Sequence, residues 1–311
     1  MLTIYRTRPD RTLVEVDTPK PKDWVHVTVP TEDEIAFIGK AFNIPRAHII
    51  NILDENEQPR VEKERGKVIV IFRVPYKLES EDGMTFTTYP VGVIFTKEVI
   101  ITVCGVENEV IRDFITNHVK GFYTSKRVRF LLQMFNRTSH YFTIYLNYIK
   151  NEIQSVENNL LNSAGSEEIL RLIKLQKSLQ YFHIATVANN GVMQRMAAGH
   201  IISLDKEEQG MLDDIVIDTR QTIQMISQYS FMLTNIMSGY SSIISNKLNN
   251  ILKFLTSITI IIAVPTMIAS YYGMNVGLPM QGDSIAFPII ILLSILTTGL
   301  ISYILFRRRL L

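Results

Sequence analysis

Two stretches near the C-terminal end of the chain carry no charged side chain, and the residues before them alternate apolar and polar positions with recognisable periods. Phe254–Gly282 contains no Asp, Glu, Lys or Arg, and after Asp283 the run Ser284–Phe306 is again free of charge. Each run exceeds the roughly 20 residues that an α-helix needs to cross a hydrocarbon core. They predict two membrane spans, the first at about 251–271 and the second at 285–306, joined by an external loop, 272–284. Arg307, Arg308 and Arg309 follow the second span, and Lys247 and Lys253 flank the start of the first. The positive-inside rule puts both groups in the cytoplasm as a basic collar, so both termini are expected there. The expected location is the cell (inner or plasma) membrane, in a multi-pass arrangement with a basic tail at 307–311.

Upstream, residues 1–122 read as a mixed α/β domain. Thr12–Val16 and Trp24–Val29 alternate in strand fashion, as do Lys67–Val74, Thr85–Thr96 and Val99–Cys104, whose close succession suggests a meander. Thr31-Glu32-Asp33-Glu34 has the form of a capping box and opens a helix with Ile35, Ile38 and Phe42 on one face. Pro45 starts a short helix, Arg46–Leu53, and Asn108–His118 forms the last helix of the domain. From Ser125 no proline occurs before Pro265, a long stretch without a helix breaker. Residues 123–204 read as an antiparallel helical hairpin, Ser125–Asn162 and Glu167 to Ala198, turning at Ser163-Ala164-Gly165-Ser166. A third helix begins near Asp205 and has no stop before Tyr272. It would be about 100 Å long at 1.5 Å per residue, so it is expected to act as a stalk, 205–271, that becomes the first span.

Composition narrows the function. A mean hydropathy of +0.13 in a chain that is 20% charged fits the segregation of apolar and polar stretches. The net charge of +2 and scattered Lys and Arg give no case for nucleic acid. The N-terminal stretch lacks a continuous apolar segment of the secretory kind. The lone cysteine, Cys104, excludes an intramolecular disulfide framework. Six isolated histidines offer no transition-metal spacing, and there is no phosphate-binding glycine loop for a nucleotide. No nucleophile–base grouping appears, and the chain is not expected to be an enzyme. Trp24 reads as a core residue.

The chemistry gathers at the first span. From Asn249, a helical stripe passes through Leu252, Thr256, Thr259, Ala263, Thr266 and Ser270, small or hydroxyl-bearing after Leu252. Phe254, Ile258, Ile261, Ile262 and Ile268 lie mostly elsewhere. Such a stripe suits the lining of a pore, with Leu252 and Leu255 as constrictions, and it also suits tight helix packing. Two spans cannot enclose a pore, so a channel built from this chain must be oligomeric. Directly after the span stands Gly273-Met274-Asn275. Mg²⁺ dehydrates reluctantly and tolerates contact through its water shell. A ring of Asn275 carbonyl oxygens with backbone carbonyls at Gly273 can accept hydrogen bonds from those waters, with Gly273 permitting a backbone that a β-carbon would obstruct. A helix C-cap at Asn275 and an aromatic belt at Tyr271–Tyr272 are compatible with that role.

Gly273-Met274-Asn275 after the first of two C-terminal spans, with Tyr272, Pro265, Ser245-Asn246-Lys247, Asn249 and a basic C-terminus, resembles the CorA-type divalent-cation transporters. The resemblance implies a homopentamer with a cytoplasmic α/β funnel, a pore lined by the first span and a selectivity filter at Gly273, Met274 and Asn275. It also implies Mg²⁺ as the transported and regulatory ion. Asp214, one helical turn from Asp218, falls where the family places a stalk aspartate that binds regulatory Mg²⁺ between subunits. Its partner is expected from the α/β domain, with Glu79, Glu81 and Asp82 as candidates. Asp205, Glu207 and Glu208 are covered by the favourable placement of acids at a helix start. The family often carries acids just after the motif. Here the sequence is Val276-Gly277-Leu278-Pro279-Met280, so cation capture at the mouth is expected to be weak. The expectation is Mg²⁺ uptake driven by membrane potential, with Co²⁺, Ni²⁺ or Zn²⁺ transport as the near alternative. A membrane-anchored scaffold or enzyme using the stalk acids is the distant one.

Overall fold

A computed structural model of the chain describes residues 1–10, 12–80, 83–162, 166–199, 201–280, 282 and 284–308. It divides into two units, Met1–Ile236 and Met237–Leu311.

The first unit is built on a seven-stranded sheet of order β2-β1-β3-β7-β6-β5-β4. Its strands are β1 (Leu2–Thr7), β2 (Leu13–Glu15), β3 (Trp24–Thr28), β4 (Arg60–Glu64), β5 (Lys67–Ser80), β6 (Gly83–Phe95) and β7 (Ile100–Cys104). β4 to β7 form an antiparallel meander, one strand longer than the alternation indicates, and β3 joins β7 as the sole parallel pair among the described strands. β1 and β4 escape the sequence pattern, β4 for a physical reason. Val61 is the single apolar residue of the strand Arg-Val-Glu-Lys-Glu, whose charges suit an exposed edge.

Strand alternation splits the buried side chains between two faces. On one, Val25, Val27, Ile69, Ile71, Ile94 and Ile101 meet Ile35 and Ile38 of α1 (Glu32–Ala41) and Ile49 and Ile52 of α2 (Arg46–Leu53). α1 starts at the expected capping box: Glu34 N donates to Thr31 Oγ1 at 3.3 Å and Thr31 N donates to Glu34 Oε2 at 2.9 Å. On the other face, Trp24, Phe72, Val91 and Ile100 meet α3 (Glu109–Ile115), α4 (Arg127–Asn162) and α5 (Ser166–Ala197). Trp24 is fully buried within an aromatic cluster, its ring centroid 5.0 Å from Tyr5 and from Phe130.

The β5–β6 hairpin outruns its neighbours, because β4 pairs only as far as Ile71 and β7 only as far as Val91. Side chains of α5 cover both bare edges. Arg73 N donates to Asn189 Oδ1 at 2.9 Å, and Asn189 Nδ2 donates to Arg73 O at 2.7 Å. On the other edge Phe86 N donates to Ser178 Oγ at 3.0 Å. Backbone groups that would otherwise be buried without partners are thus satisfied by helix side chains. α4 and α5 pack against each other, with Phe142 and Phe182 edge to face at 5.0 Å. Ser163, Ala164 and Gly165, the expected turn, lie outside the described residues.

α6 (Lys206–Tyr272) begins in this unit, where Asp205 and Glu208 form a reciprocal cap: Glu208 N donates to Asp205 Oδ1 at 2.8 Å and Asp205 N to Glu208 Oε2 at 3.1 Å. The second unit contains the remainder of α6, with Pro265 inside it, and α7 (Ala286–Arg307). Both helices are long and apolar enough to cross a membrane.

Candidate functional site

The apolar end of α6 presents two distinct faces. Pro265, Ala269 and Tyr272 face α7 residues Phe287, Ile290, Ile291 and Ser294 across a cavity of 610 Å³. About 120° round the helix, Leu255, Thr259, Ala263, Thr266 and Ser270 line an open groove. The hydroxyl stripe is therefore the face turned away from the chain's own second span. Ile258, Ile262, Met267 and Met274 border the same groove, so the expected separation of bulky from hydroxyl side chains is incomplete. Ile258 and Ile262 each stand one residue before a stripe member, which brings their branched ends to its margin. Asn249, Leu252 and Thr256 are exposed on α6 and do not line this groove.

Two threonines of the stripe donate their hydroxyl hydrogens to their own helix. Thr259 Oγ1 donates to Leu255 O at 2.8 Å, and Thr266 Oγ1 donates to Ile262 O at 2.7 Å. A hydroxyl that gives its one hydrogen to its own helix keeps its lone pairs for other partners. The stripe thus offers acceptors, which suit water molecules held by a cation. Pro265, on the face toward α7, has no N–H to bond the carbonyl of Ile261.

α6 ends at Tyr272, and Gly273 N donates to Ala269 O at 3.0 Å and Ser270 O at 3.2 Å. Gly273 lies outside the positive-φ residues, and a β-carbon built on it would sit 3.4 Å from Ala269 O, an ordinary contact. The expected backbone requirement for glycine is therefore corrected: within one chain this position accepts a side chain. Met274 and Asn275 follow, both exposed, with Met274 N donating to Tyr271 O at 3.3 Å. Lys247, Lys253, Arg307 and Arg308 of the basic group are exposed, and Arg309 lies outside the described residues, as does Asp283.

On the polar part of α6, Asp214 and Asp218 are exposed on either side of Ile217, itself 61% exposed. Neighbouring acids have structural partners: Asp213 Oδ1 accepts from Gln209 Nε2 at 3.0 Å, and Glu207 pairs with Arg129 at 2.6 Å. Glu79 is at the tip of the β5–β6 hairpin, its backbone opposite Met84, while Glu81 and Asp82 lie outside the described residues. Among the described residues, no group of three or more His, Cys, Asp or Glu is arranged to hold a metal ion. Among the described residues, no third acid joins Asp214 and Asp218.

An α/β domain with two long apolar helices at its C-terminal end, the first faced with hydroxyl acceptors, is the build of a membrane-transport protein. A family model described as CorA-like Mg²⁺ transporter protein matches residues 22–308, and the chain belongs to that family. It is 28% identical over 319 residues to the cobalt/magnesium transport protein CorA of Methanocaldococcus jannaschii, covering 99% of each chain. It is 23% identical over 260 residues to the protein of that name from Thermotoga maritima, covering 81% of this chain and 72% of that protein. The complete structure of the CorA magnesium transporter from M. jannaschii superposes with a TM-score of 0.85 at 25% identity, covering 99% of this chain and 98% of that one. The full-length CmaX protein shares the fold, with a TM-score of 0.74 at 14% identity over 99% of this chain and 96% of that one.

Proposed function

We propose that this protein is a homopentameric channel that carries Mg²⁺ into the cell down the membrane potential. The observation that carries the reading is the hydroxyl stripe of α6, turned away from α7 and ending in Gly273-Met274-Asn275. Among the described residues that face has no covering partner, and a ring of five copies would enclose it. Leu252 and Leu255 form apolar constrictions in this ring, above them Thr256, Thr259, Ala263, Thr266 and Ser270 face the ion's water shell, and Asn249 lies below. The carbonyl of Asn275 and the backbone at Gly273 and Met274 receive the hydrated ion at the outer end. Recognition through water needs no carboxylate, in keeping with the reluctance of Mg²⁺ to dehydrate.

Both termini are cytoplasmic in this arrangement, with Lys247, Lys253, Arg307, Arg308 and Arg309 as the inner collar. A divalent ion moving inward gains about 4.6 kcal/mol per 100 mV of inside-negative potential, so transport needs no nucleotide. Asp214 and Asp218 with Glu79, Glu81 or Asp82 of a neighbouring copy hold regulatory Mg²⁺, which favours the closed state when cytoplasmic Mg²⁺ is high. The hydroxyl stripe equally suits hydrated Co²⁺, the other ion named in both CorA relatives. Purified protein in liposomes, with Mg²⁺, Co²⁺ and Zn²⁺ flux compared at fixed potential, tests the reading. Saturable, potential-dependent Mg²⁺ entry is expected, and the absence of any divalent flux contradicts it.

A further inference from the structure

The parallel pair β3–β7 has a property unrelated to ion passage. After β3 the chain turns to α1 and α2 on one face of the sheet, and after β7 it turns to α3 on the other. Adjacent parallel strands whose connections leave in opposite directions open a crevice beyond their carboxyl ends, where α/β proteins bind small ligands. A cavity of about 360 Å³ lies at this point, within the size range of small-molecule sites. Its walls include Tyr5, Thr28, Cys104, Glu107, Ile111 and Arg112.

Hydrogen bonds tie the polar groups of the floor together. Trp24 Nε1 can only donate, and it does so to Thr102 Oγ1 at 2.8 Å. Thr102 Oγ1 is also hydrogen-bonded to His26 Nδ1 at 2.8 Å, and His26 Nε2 to Thr28 Oγ1 at 2.5 Å. Burial of His26, which lowers its pKa to about 4, keeps the ring neutral. Thr28 Oγ1 lies 3.5 Å from the Cys104 sulfur. The floor thus presents a hydroxyl beside a polarizable thiol, and the walls are the ring of Tyr5 and the side chain of Ile111.

The rim carries both signs of charge. Arg112 Nη1 donates to both oxygens of Glu109 at 3.2 Å, while its Nε and Nη2 have no hydrogen-bond partner among the described residues. Glu107 is exposed, and among the described residues its carboxylate has no ion pair. A ligand that meets both must be a cation and an anion at once.

We propose that this cavity binds a neutral α-amino acid, its carboxylate at Arg112, its ammonium at Glu107 and its side chain inward between Tyr5 and Ile111. Isothermal titration of the full-length protein in detergent with L-leucine, L-methionine and L-glutamine tests this. Each is compared with the corresponding amine lacking the carboxylate and the acid lacking the ammonium. Saturable binding of at least one amino acid is expected, one per chain, with either truncated analogue about tenfold weaker or worse, as loss of one charge-assisted hydrogen bond requires. Arg112→Gln and Glu107→Gln, both at exposed positions, are each expected to weaken binding by about tenfold without lowering the melting temperature. No saturable binding by any of the three, binding indifferent to both variants, or analogues that bind as well as the amino acid would each overturn the proposal.

Discussion

Replacing Gly92 by alanine should unseat α2 from the sheet. Gly92 lies in β6, opposite Ile71 of β5 and Val103 of β7, on the face that carries α2. A β-carbon there would meet Ile52 Cδ1 at 2.3 Å, Cγ1 at 2.6 Å and Cγ2 at 2.8 Å. Two of those three atoms are bonded to the branching carbon of Ile52. Rotation about χ1 therefore exchanges one clash for another, and a β-branched side chain in a helix has little such freedom. Ile52 is fully buried, so relief requires α2 itself to shift. Overpacking of this kind costs about 1–3 kcal/mol. Ile52→Ala removes all three contacting atoms and alone costs about 2–5 kcal/mol through the cavity it leaves. In the double variant the new methyl at position 92 enters that cavity, so the combined cost should fall short of the sum by about 1 kcal/mol or more. Urea unfolding followed by the emission of Trp24, the sole tryptophan, reports on the same sheet. Costs that add to within about 0.5 kcal/mol would refute the steric reasoning.

Further expectations concern pH, the constrictions and the regulatory acids. His26 has a pKa of about 4 in the folded chain because it is buried, against 6.5 when exposed. As pH falls, the unfolded chain takes up the proton first, so stability is complete above 6.5 and declines by about 3 kcal/mol between 6.5 and 4. Urea midpoints across that range should show this decline and His26→Gln should flatten it; an unchanged pH slope in the variant contradicts the assignment. Leu252→Asn or Leu255→Asn should raise leak in liposomes, because an apolar ring bars ions by dewetting. A cysteine-accessibility scan that labels Phe254, Ile258 and Ile261 in preference to the hydroxyl stripe would mean the other face lines the pore. Asp214→Ala should lose the protection that Mg²⁺ gives the stalk against proteolysis, whereas full protection over the parent's concentration range would place the sensor elsewhere.

Local signals were legible where the chain settles its own backbone. Thr31 and Glu34 announce α1 because both halves of the cap lie within four residues. Pro45 likewise marks the start of α2, which runs from Arg46. The charge-free runs announce the apolar parts of α6 and α7, because lipid leaves a span no other composition. Features that depend on a distant partner left no trace. Asn189 is one polar residue in the middle of a helix, and nothing near it in sequence shows that it caps an edge of β5. β4 carries edge charges, so its pattern resembles a loop. In the candidate site, spacing identified the hydroxyl stripe. Which face meets α7 depends on Pro265, Ala269 and Tyr272 being matched by residues beyond the loop. Gly273 was misread for a related reason: the motif invites a conformational explanation, yet its backbone is ordinary.

The filter assignment is tested most directly by potential-driven Mg²⁺ entry into liposomes carrying Asn275→Ala. In the proposed filter the amide carbonyl is the acceptor that meets the hydrated ion at the outer end, and alanine removes it while leaving both apolar helices, the basic group and the α/β domain intact. Crosslinking in the same liposomes shows whether the oligomer persists. Loss of Mg²⁺ entry with the oligomer intact is the predicted result, and near-parental flux would contradict the proposed account of how the ion is selected.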